Sequence, residues 1–439
     1  MGLPQPTISS LTLLPIDCFA QIARQPGSVW LDSSLTRGGW GEHSILATNP
    51  TAEIILRGNQ GTISQTDSKE STVCDRNRIL AELEQIRLDK HRIAIGYISY
   101  EACLPWLELR SSHQNSHRPE IHFYVYDQVL EYDHQSGWFS SPGLAMEYLE
   151  TDIDPAQLAA IDYPCPTELK DNTPRSTYLD RVNRVKQYIF EGDIYQANYT
   201  CRFEAQTSLD PFVAYLRLRR FNPAPYSAFM NFGDYQVLSS SPERMFLWEG
   251  DRIVSSPIKG TISRGENEHD IAVNLERLLH SDKDRAELMM IVDLVRNDLG
   301  KLAPAGEVTV EQLYRPEIYS SVIHLISDIS AQVRPDCTLK KVLTALLPGG
   351  SITGAPKKRA VEIIDELEDQ PRSVYTGSIG YVGFGRADFN IAIRTMTHRN
   401  GCYQIHAGGG IVADSDPTAE YDEMLLKAHN LFRAIGARA

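Results

Sequence analysis

The sequence of 439 residues has no excess of positive charge. Lys and Arg number 43 against 57 Asp and Glu, for a formal net charge of −14. A chain that acidic lacks the basic footprint of a nucleic-acid binder and is repelled by anionic lipid. No apolar run approaches the roughly 20 residues of a membrane span. The most apolar N-terminal stretch, Ile8 to Ala23, contains Pro15 and Asp17 and has no basic residue before it, so it makes a poor secretory signal. The seven cysteines (Cys18, Cys74, Cys103, Cys165, Cys201, Cys337, Cys402) form no C-x-x-C pair and no zinc-like spacing. Scattered thiols in odd number fit a reducing compartment, and a cytoplasmic protein is expected. Internal repeats and low-complexity tracts are also missing, which excludes solenoids. Hydrophobic residues at 42% and charged residues at 23% exclude a disordered chain.

The length allows two to four modules or one composite body. A segment with four prolines and many acids, DIDPAQLAAIDYPCPTELKDNTP, marks a connection over 152–175. It divides an N-terminal region, 1–151, from a C-terminal region, 176–439. Before it, AEIILRG and RIAIGYISY read as strands and DRNRILAELEQIRL as a helix. After it, Ser176 is placed to cap a helix on which Tyr178, Val182, Val185 and Ile189 recur up to Gly192. YQVLSSSPERMFLWEGDRIVSSPIKGT reads as paired strands turning at Glu249-Gly250-Asp251. Helices are expected over Ile271–Leu279, Arg285–Val295, Leu339–Leu347 and Ala355–Leu367. Strands are expected over Ser378–Phe384, Phe389–His398 and Cys402–Ala407, with a last helix from Pro417. Strands and helices do not alternate one for one. That favours an α+β fold of mostly antiparallel sheets over a doubly wound parallel sheet.

Four patterns carry chemistry. On the last helix Glu420, Glu423 and Lys427 share a face, and two carboxylates there suit a hard cation such as Mg²⁺. The same spacing also fits a solvated helix with a Glu423–Lys427 pair. In DKDRAELMMIVDLVRNDLGK, Asp284 and Glu287 stand three apart beside the apolar run Leu288 to Val292, where buried acids need a partner. A metal shared between the two helices supplies one; a first-turn acid bias is the alternative. The glycine-rich turns Gly408-Gly409-Gly410 and Gly349-Gly350-Ser351-Ile352-Thr353-Gly354 let backbone N–H groups approach an anion. Neither is a Walker loop or a dinucleotide motif, so a carboxylate fits better than a nucleotide. Lys259, in Pro257-Ile258-Lys259-Gly260-Thr261, is either a solvated strand end or a cleft lysine able to act as a nucleophile. Glu243, on the preceding strand arm, is a candidate acid or base for the same cleft.

Taken together these segments resemble the chorismate-utilising enzymes, the family of the anthranilate, aminodeoxychorismate, isochorismate and salicylate synthases. The resemblance runs from about Ser176 to the C-terminus. It passes through GDIYQAN, SSSPERMF, PIKGT, DRAELMMIVDLVRNDLG, GGSITGAPKKRA, YTGSIGYVGFG, IAIRT and AGGGIVADSDPTAEYDEMLLK. The N-terminal third resembles component I enzymes more loosely. Gln196 stands where the isochorismate and salicylate synthases carry a water-activating lysine. Lys259 stands where anthranilate and isochorismate synthases carry alanine, and P-I-K-G-T resembles the aminodeoxychorismate synthases, component I.

The resemblance implies two packed, mostly antiparallel β-sheets with helices outside and a site in the cleft between them. It implies a transferase that aminates chorismate to 4-amino-4-deoxychorismate, toward 4-aminobenzoate and folate; anthranilate synthase component I is the alternative. By the same resemblance Lys259 is the nucleophile, with Glu243 and His324 handling protons. Mg²⁺ falls to Glu287 and Glu423, with Asp284 and Glu420 assisting directly or through water. Tyr375, Arg394 and the Gly408, Gly409 and Gly410 backbone grip the pyruvyl carboxylate, and Gly260, Thr261, Ser351, Thr353 and Lys427 complete the substrate pocket. Ser33, Trp40, Pro225, Tyr226 and Ser227 resemble a tryptophan pocket, whose ligand is structural, inhibitory or absent. No cysteine sits in a nucleophile elbow, so ammonia from glutamine is expected from a separate amidotransferase subunit.

Overall fold

The segment RIAIGYISY folds as the strand Ile93–Ile98, and all six of its residues are buried. Successive side chains of a strand point to opposite faces. Here Ile93, Ile95 and Tyr97 enter one hydrophobic cluster while Ala94 and Ile98 enter another. The strand therefore lies in a sheet covered on both sides, and the molecule is layered helix, sheet, sheet, helix. The computed structural model describes residues 15–35, 41–68, 70–113, 118–140, 168–319 and 322–437. Most of the 152–175 connection, with Cys165, lies outside the described residues, as does Trp40.

Among the described residues the first sheet has 11 strands and the second has 12, and every pairing is antiparallel. Near one end of the first, Gln196–Gln206 pairs with Cys402–Ile411. Thr395–Arg399, Gln236–Ser241, Tyr226–Asn231 and Ser28–Asp32 then follow in order. The second runs from Ile258–Ser263 through Val322–Gln332, Arg252–Ser255, Arg244–Glu249, Arg386–Asn390 and Ser378–Gly383 to Ile93–Ile98 and beyond. Strands from the first 140 residues thus complete both sheets, through Trp30 opposite Phe229 and Ile95 opposite Tyr381. Between the sheets lies a core that includes Val29, Tyr97, Tyr126, Met230 and Val237. No helix among the described residues is long and apolar enough to cross a membrane.

Several expected boundaries shift for local reasons. The helix expected to be capped by Ser176 spans Arg175–Phe190, so Ser176 lies in its first turn and Pro174, at φ −53°, takes the cap position without a side-chain bond. Within Leu288 to Val292, Met289 is exposed while Leu288, Ile291 and Val292 are buried, as 3.6-residue periodicity requires of a helix packed on one side. Phe389–His398 is not one strand. Arg386–Asn390 belongs to the second sheet and Thr395–Arg399 to the first, and the chain crosses between them. Gly408–Gly410 is not a turn but the end of the strand Cys402–Ile411, opposite Thr200, Tyr199 and Asn198. A Cβ at Gly408 would meet the Tyr199 carbonyl oxygen at 2.2 Å, so that glycine serves close packing of backbone on backbone, whereas one at Gly409 or Gly410 would meet the side chains of Glu420 or Gln196.

Trp30 links the N-terminal region to the shared sheet. Its fully buried ring packs 5.4 Å from Phe19 and 5.7 Å from Tyr215. Trp30→Ala should cost about 3–5 kcal/mol of stability, read from urea unfolding monitored by circular dichroism. A much smaller loss would mean that the first sheet does not depend on its N-terminal strands.

Candidate active site

The site occupies the seam where the chain passes from one sheet to the other. Glu243 lies on one crossover, between Gln236–Ser241 and Arg244–Glu249. Arg394, at φ +53°, lies on the other, between Arg386–Asn390 and Thr395–Arg399. The crossovers are bonded to each other. The Ser241 hydroxyl donates to the Ile391 carbonyl at 2.6 Å, the Ile391 N–H to the Glu243 carbonyl at 3.0 Å, and the Ser240 N–H to the Arg394 carbonyl at 3.1 Å.

Lys259 sits on the edge strand Ile258–Ser263 and is recessed, with part of its surface open to solvent. Burial and the Lys427 ammonium lower its pKa, against the pull of Glu287, Glu243 and Glu423. An amine so placed is less fully protonated than an ordinary lysine and is a better nucleophile. The buried Glu243 carboxyl is pushed up to about 7 by loss of hydration, although Lys259, the Ile258 N–H and Ser351 oppose that rise. The Ser351 hydroxyl donates to Glu243 Oε1 at 3.2 Å. Glu243 can therefore hold or release a proton near neutral pH.

Next to Lys259 the strand bulges at Gly260, whose φ is +74°. A Cβ there would come within 3.0 Å of the Asp284 Cβ, so the glycine lets helix Asp282–Gly300 settle on the strand. Beyond the bulge Thr261 pairs with His324, and the Thr261 hydroxyl lies 2.8 Å from His324 Nδ1. Burial and the Arg394 charge pull His324 down to about 4, so it is a neutral imidazole at pH 7.

The helix Pro417–Ala434 covers the glycine strand from the other side. Lys427 Nζ bonds Glu423 Oε1 at 2.7 Å and the Gly408 carbonyl at 3.3 Å, while its own carbonyl accepts from Arg394 Nη1 at 2.5 Å. A Cβ at Gly409 would fall 3.1 Å from Glu420 Oε2. Burial raises the pKa of Glu420, whose Oε1 accepts from Ser415 at 2.6 Å. Burial also works to raise Glu423, but the Lys427 charge and hydrogen bond win and hold it below its usual value. Lys283, one turn before Glu287 and 4.0 Å from it, acts electrostatically on both Glu420 and Glu423. The two acidic helices therefore face one another across Lys259. Their donors are all carboxylate oxygen, the set a hard divalent cation takes. Among the described residues no three acids, histidines or cysteines converge closely enough to enclose an ion. The arrangement fits a cation held by one or two carboxylates and finished by water and substrate, as Mg²⁺ commonly is.

The remaining expected residues divide. Tyr375 is buried and stacks on His406 at 5.3 Å. The Thr353 hydroxyl is spent on the Gly349 carbonyl at 2.7 Å, and its carbonyl accepts the Asn198 N–H at 2.8 Å, so it shapes the loop. Ser33, Pro225, Tyr226 and Ser227 line a separate cavity of about 310 Å³ between the sheets. There Ser33 Oγ donates to the His43 and Pro225 carbonyls and Arg244 sits 5.0 Å from the Tyr226 ring centre. Sequence reasoning overlooked Ser415, which orients Glu420, and the buried pair Glu368 and Arg372 behind Tyr375. Ser415 was legible as part of the turn before the helix cap at Asp416. Glu368 and Arg372 lie just past a helix end, where no periodicity marks them.

The family model of chorismate binding enzymes matches residues 31–433. The chain is 34% identical over 438 residues to aminodeoxychorismate synthase component 1 of Escherichia coli, covering 95% of each chain. It is 40% identical over 369 residues to an anthranilate synthase component 1 of Haloarcula marismortui, covering 78% of this chain and 75% of that one. Among solved structures, anthranilate synthase component I from Streptococcus pneumoniae superposes with a TM-score of 0.76 at 29% identity, over 98% of this chain and all of that one.

The raised Glu243 carboxyl has a sign that can be measured. In the fold it keeps its proton up to about pH 7, whereas its ordinary value is 4.5. The folded state binds more protons across that window, so stability falls as pH rises through it. Glu243→Gln does not titrate. Each tenfold difference in proton affinity between the folded and unfolded carboxyl is worth about 1.4 kcal/mol. The stability of Glu243→Gln relative to the parent should therefore be about 3 kcal/mol greater at pH 8 than at pH 4 in urea unfolding. A difference independent of pH would show that Glu243 ionises normally.

Proposed function

The chain belongs to the chorismate binding enzymes, and from that premise we propose that it is an aminodeoxychorismate synthase component I. It converts chorismate and ammonia to 4-amino-4-deoxychorismate, on the route to 4-aminobenzoate and folate. The observation that carries this reading is Lys259, a recessed amine of lowered pKa beside a carboxyl that titrates near 7. The Lys259 amine adds at ring C2 while the C4 hydroxyl leaves with a proton from Glu243. Ammonia then adds at C4, the ring double bonds shift back and the lysine departs. His324, neutral and bonded to Thr261, exchanges protons on the same side. Arg394, Tyr375 and the Gly408–Gly410 backbone receive the pyruvyl carboxylate, for which a guanidinium is suited.

Glu287 and Glu423 would hold Mg²⁺, with Asp284 and Glu420 beside them directly or through water. When bound, that ion supplies Lewis acidity to the ring carboxylate. Lys427 keeps Glu423 ionised and ties its helix to the glycine strand. Ammonia comes from glutamine through a separate amidotransferase subunit. Tryptophan is the ligand proposed for the cavity lined by Ser33, Pro225, Tyr226 and Ser227. A second reading, anthranilate synthase component I, is favoured by the 40% identity to the Haloarcula protein. Lys259 weighs against it.

Product identity decides between the two. Incubation with chorismate, Mg²⁺ and ammonium should give 4-amino-4-deoxychorismate, faster as alkaline pH frees ammonia, and glutamine should give nothing until an amidotransferase is added. Anthranilate as the product would overturn the choice made on Lys259. Lys259→Ala should lose at least about 100-fold in kcat/KM. Intact mass of the parent with chorismate should show an adduct that the variant lacks, and full activity in the variant would end the nucleophile role. Glu423→Gln should raise the Mg²⁺ needed for half-maximal rate by about tenfold or more. An undiminished rate after EDTA treatment would refute the metal assignment.

A further inference from the structure

Arg372 is 2% exposed, yet carries a full positive charge into the protein interior. A guanidinium has five N–H groups in a rigid plane, and here all five have acceptors. Nε and Nη2 form a fork on Glu368 at 2.8 and 2.6 Å. Nη2 also donates to the Asn198 carbonyl at 2.5 Å, and Nη1 to the Ile352 carbonyl at 2.9 Å and the Thr376 hydroxyl at 3.4 Å. The Tyr100 ring lies beneath the guanidinium at 4.7 Å. Glu368 Oε1 accepts in addition from the Thr200 N–H and hydroxyl, both at 2.9 Å. The charge is balanced inside the pair, and no donor is left for a ligand.

What the pair does hold is three segments of the candidate site. Asn198 is opposite Gly410 and Thr200 is opposite Gly408. Ile352 lies between Ser351, which donates to Glu243, and Thr353, whose carbonyl takes the Asn198 N–H. Thr376 follows Tyr375, and the Tyr375 N–H donates to the Arg372 carbonyl at 3.2 Å. A lysine cannot replace this arrangement, because one ammonium cannot reach a carboxylate and three acceptors on separate segments in a common plane.

We infer that Arg372 and Glu368 are the positioning pair for the carboxylate end of the substrate pocket. They set where Tyr375, the Ser351 loop and the Gly408–Gly410 backbone stand, without touching substrate. The inference rests on the reading of that end of the pocket given under Proposed function. It leaves Arg394 as the guanidinium that meets the substrate.

The test compares Arg372→Lys, Thr200→Val and Thr200→Ser with the parent enzyme. Displacing binding groups by a fraction of an ångström to an ångström should raise the chorismate KM of Arg372→Lys on the order of 10- to 100-fold. The Mg²⁺ needed for half-maximal rate at saturating chorismate should stay at the parent value, since Glu287 and Glu423 stand on other helices. Thr200→Val removes one bond to Glu368 and should raise KM by about threefold, while Thr200→Ser, which keeps the hydroxyl, should restore it. If Arg372→Lys does not fold, the Thr200 pair decides. A chorismate KM within about twofold of the parent in the folded variants overturns the positioning role, even if thermal stability or active fraction falls, because a purely structural pair would behave that way. A parent enzyme that binds no chorismate in equilibrium dialysis overturns the reading of the site itself, and this inference with it.

Discussion

Charges brought to the seam between two β-sheets lose part of their water and lean on one another in its place. Lys259, Lys427 and Arg394 stand there against Glu243, Glu287, Glu420 and Glu423. Lys427 links two of these groups to the glycine strand. Lys427 bonds Glu423 and the Gly408 carbonyl, and Arg394 bonds the carbonyl of Lys427. Removing one charge therefore disturbs the protonation of several others. The site is best understood as one electrostatic unit with two acidic helices, Asp282–Gly300 and Pro417–Ala434, closing on it.

Proton states follow from that crowding. Burial keeps His324 neutral, keeps a proton on Glu243 to near neutrality and weakens the hold of Lys259 on its own. These are the states that acid–base and nucleophilic chemistry need at pH 7. They arise from position, since an exposed Glu, His or Lys of the same sequence would sit at its ordinary value.

The cavity lined by Ser33 and Tyr226 shares a wall with this seam. Arg244 follows Glu243 directly and forks onto Asp388 at 3.1 and 3.0 Å, on the strand that leads to Ile391 and Arg394. One crossover thus carries Glu243 of the site and Arg244 of the cavity.

Much of this was legible in the residues. The strands around Ile93–Ile98 and Arg244–Ser255 follow from alternation, and the last helix from its Asp416 cap and Pro417. The motifs around Lys259, Glu287 and Glu423 announced a cleft with a lysine and carboxylates. Other features needed the third dimension. Gly408–Gly410 reads as a turn until the backbone of Tyr199 is seen pressed against it, and a strand over Phe389–His398 divides only because its halves pair with different sheets. Arg372 and Glu368 carry no local signal, since their partners lie on other segments: the Asn198 and Ile352 carbonyls accept from Arg372, and Thr200 donates to Glu368. Sequence by itself determined which segments are strands or helices and which chemical groups are available, because periodicity, caps and residue type act over a few neighbours. Only tertiary structure decided which groups meet and which are stripped of water, because both depend on contacts between segments hundreds of residues apart.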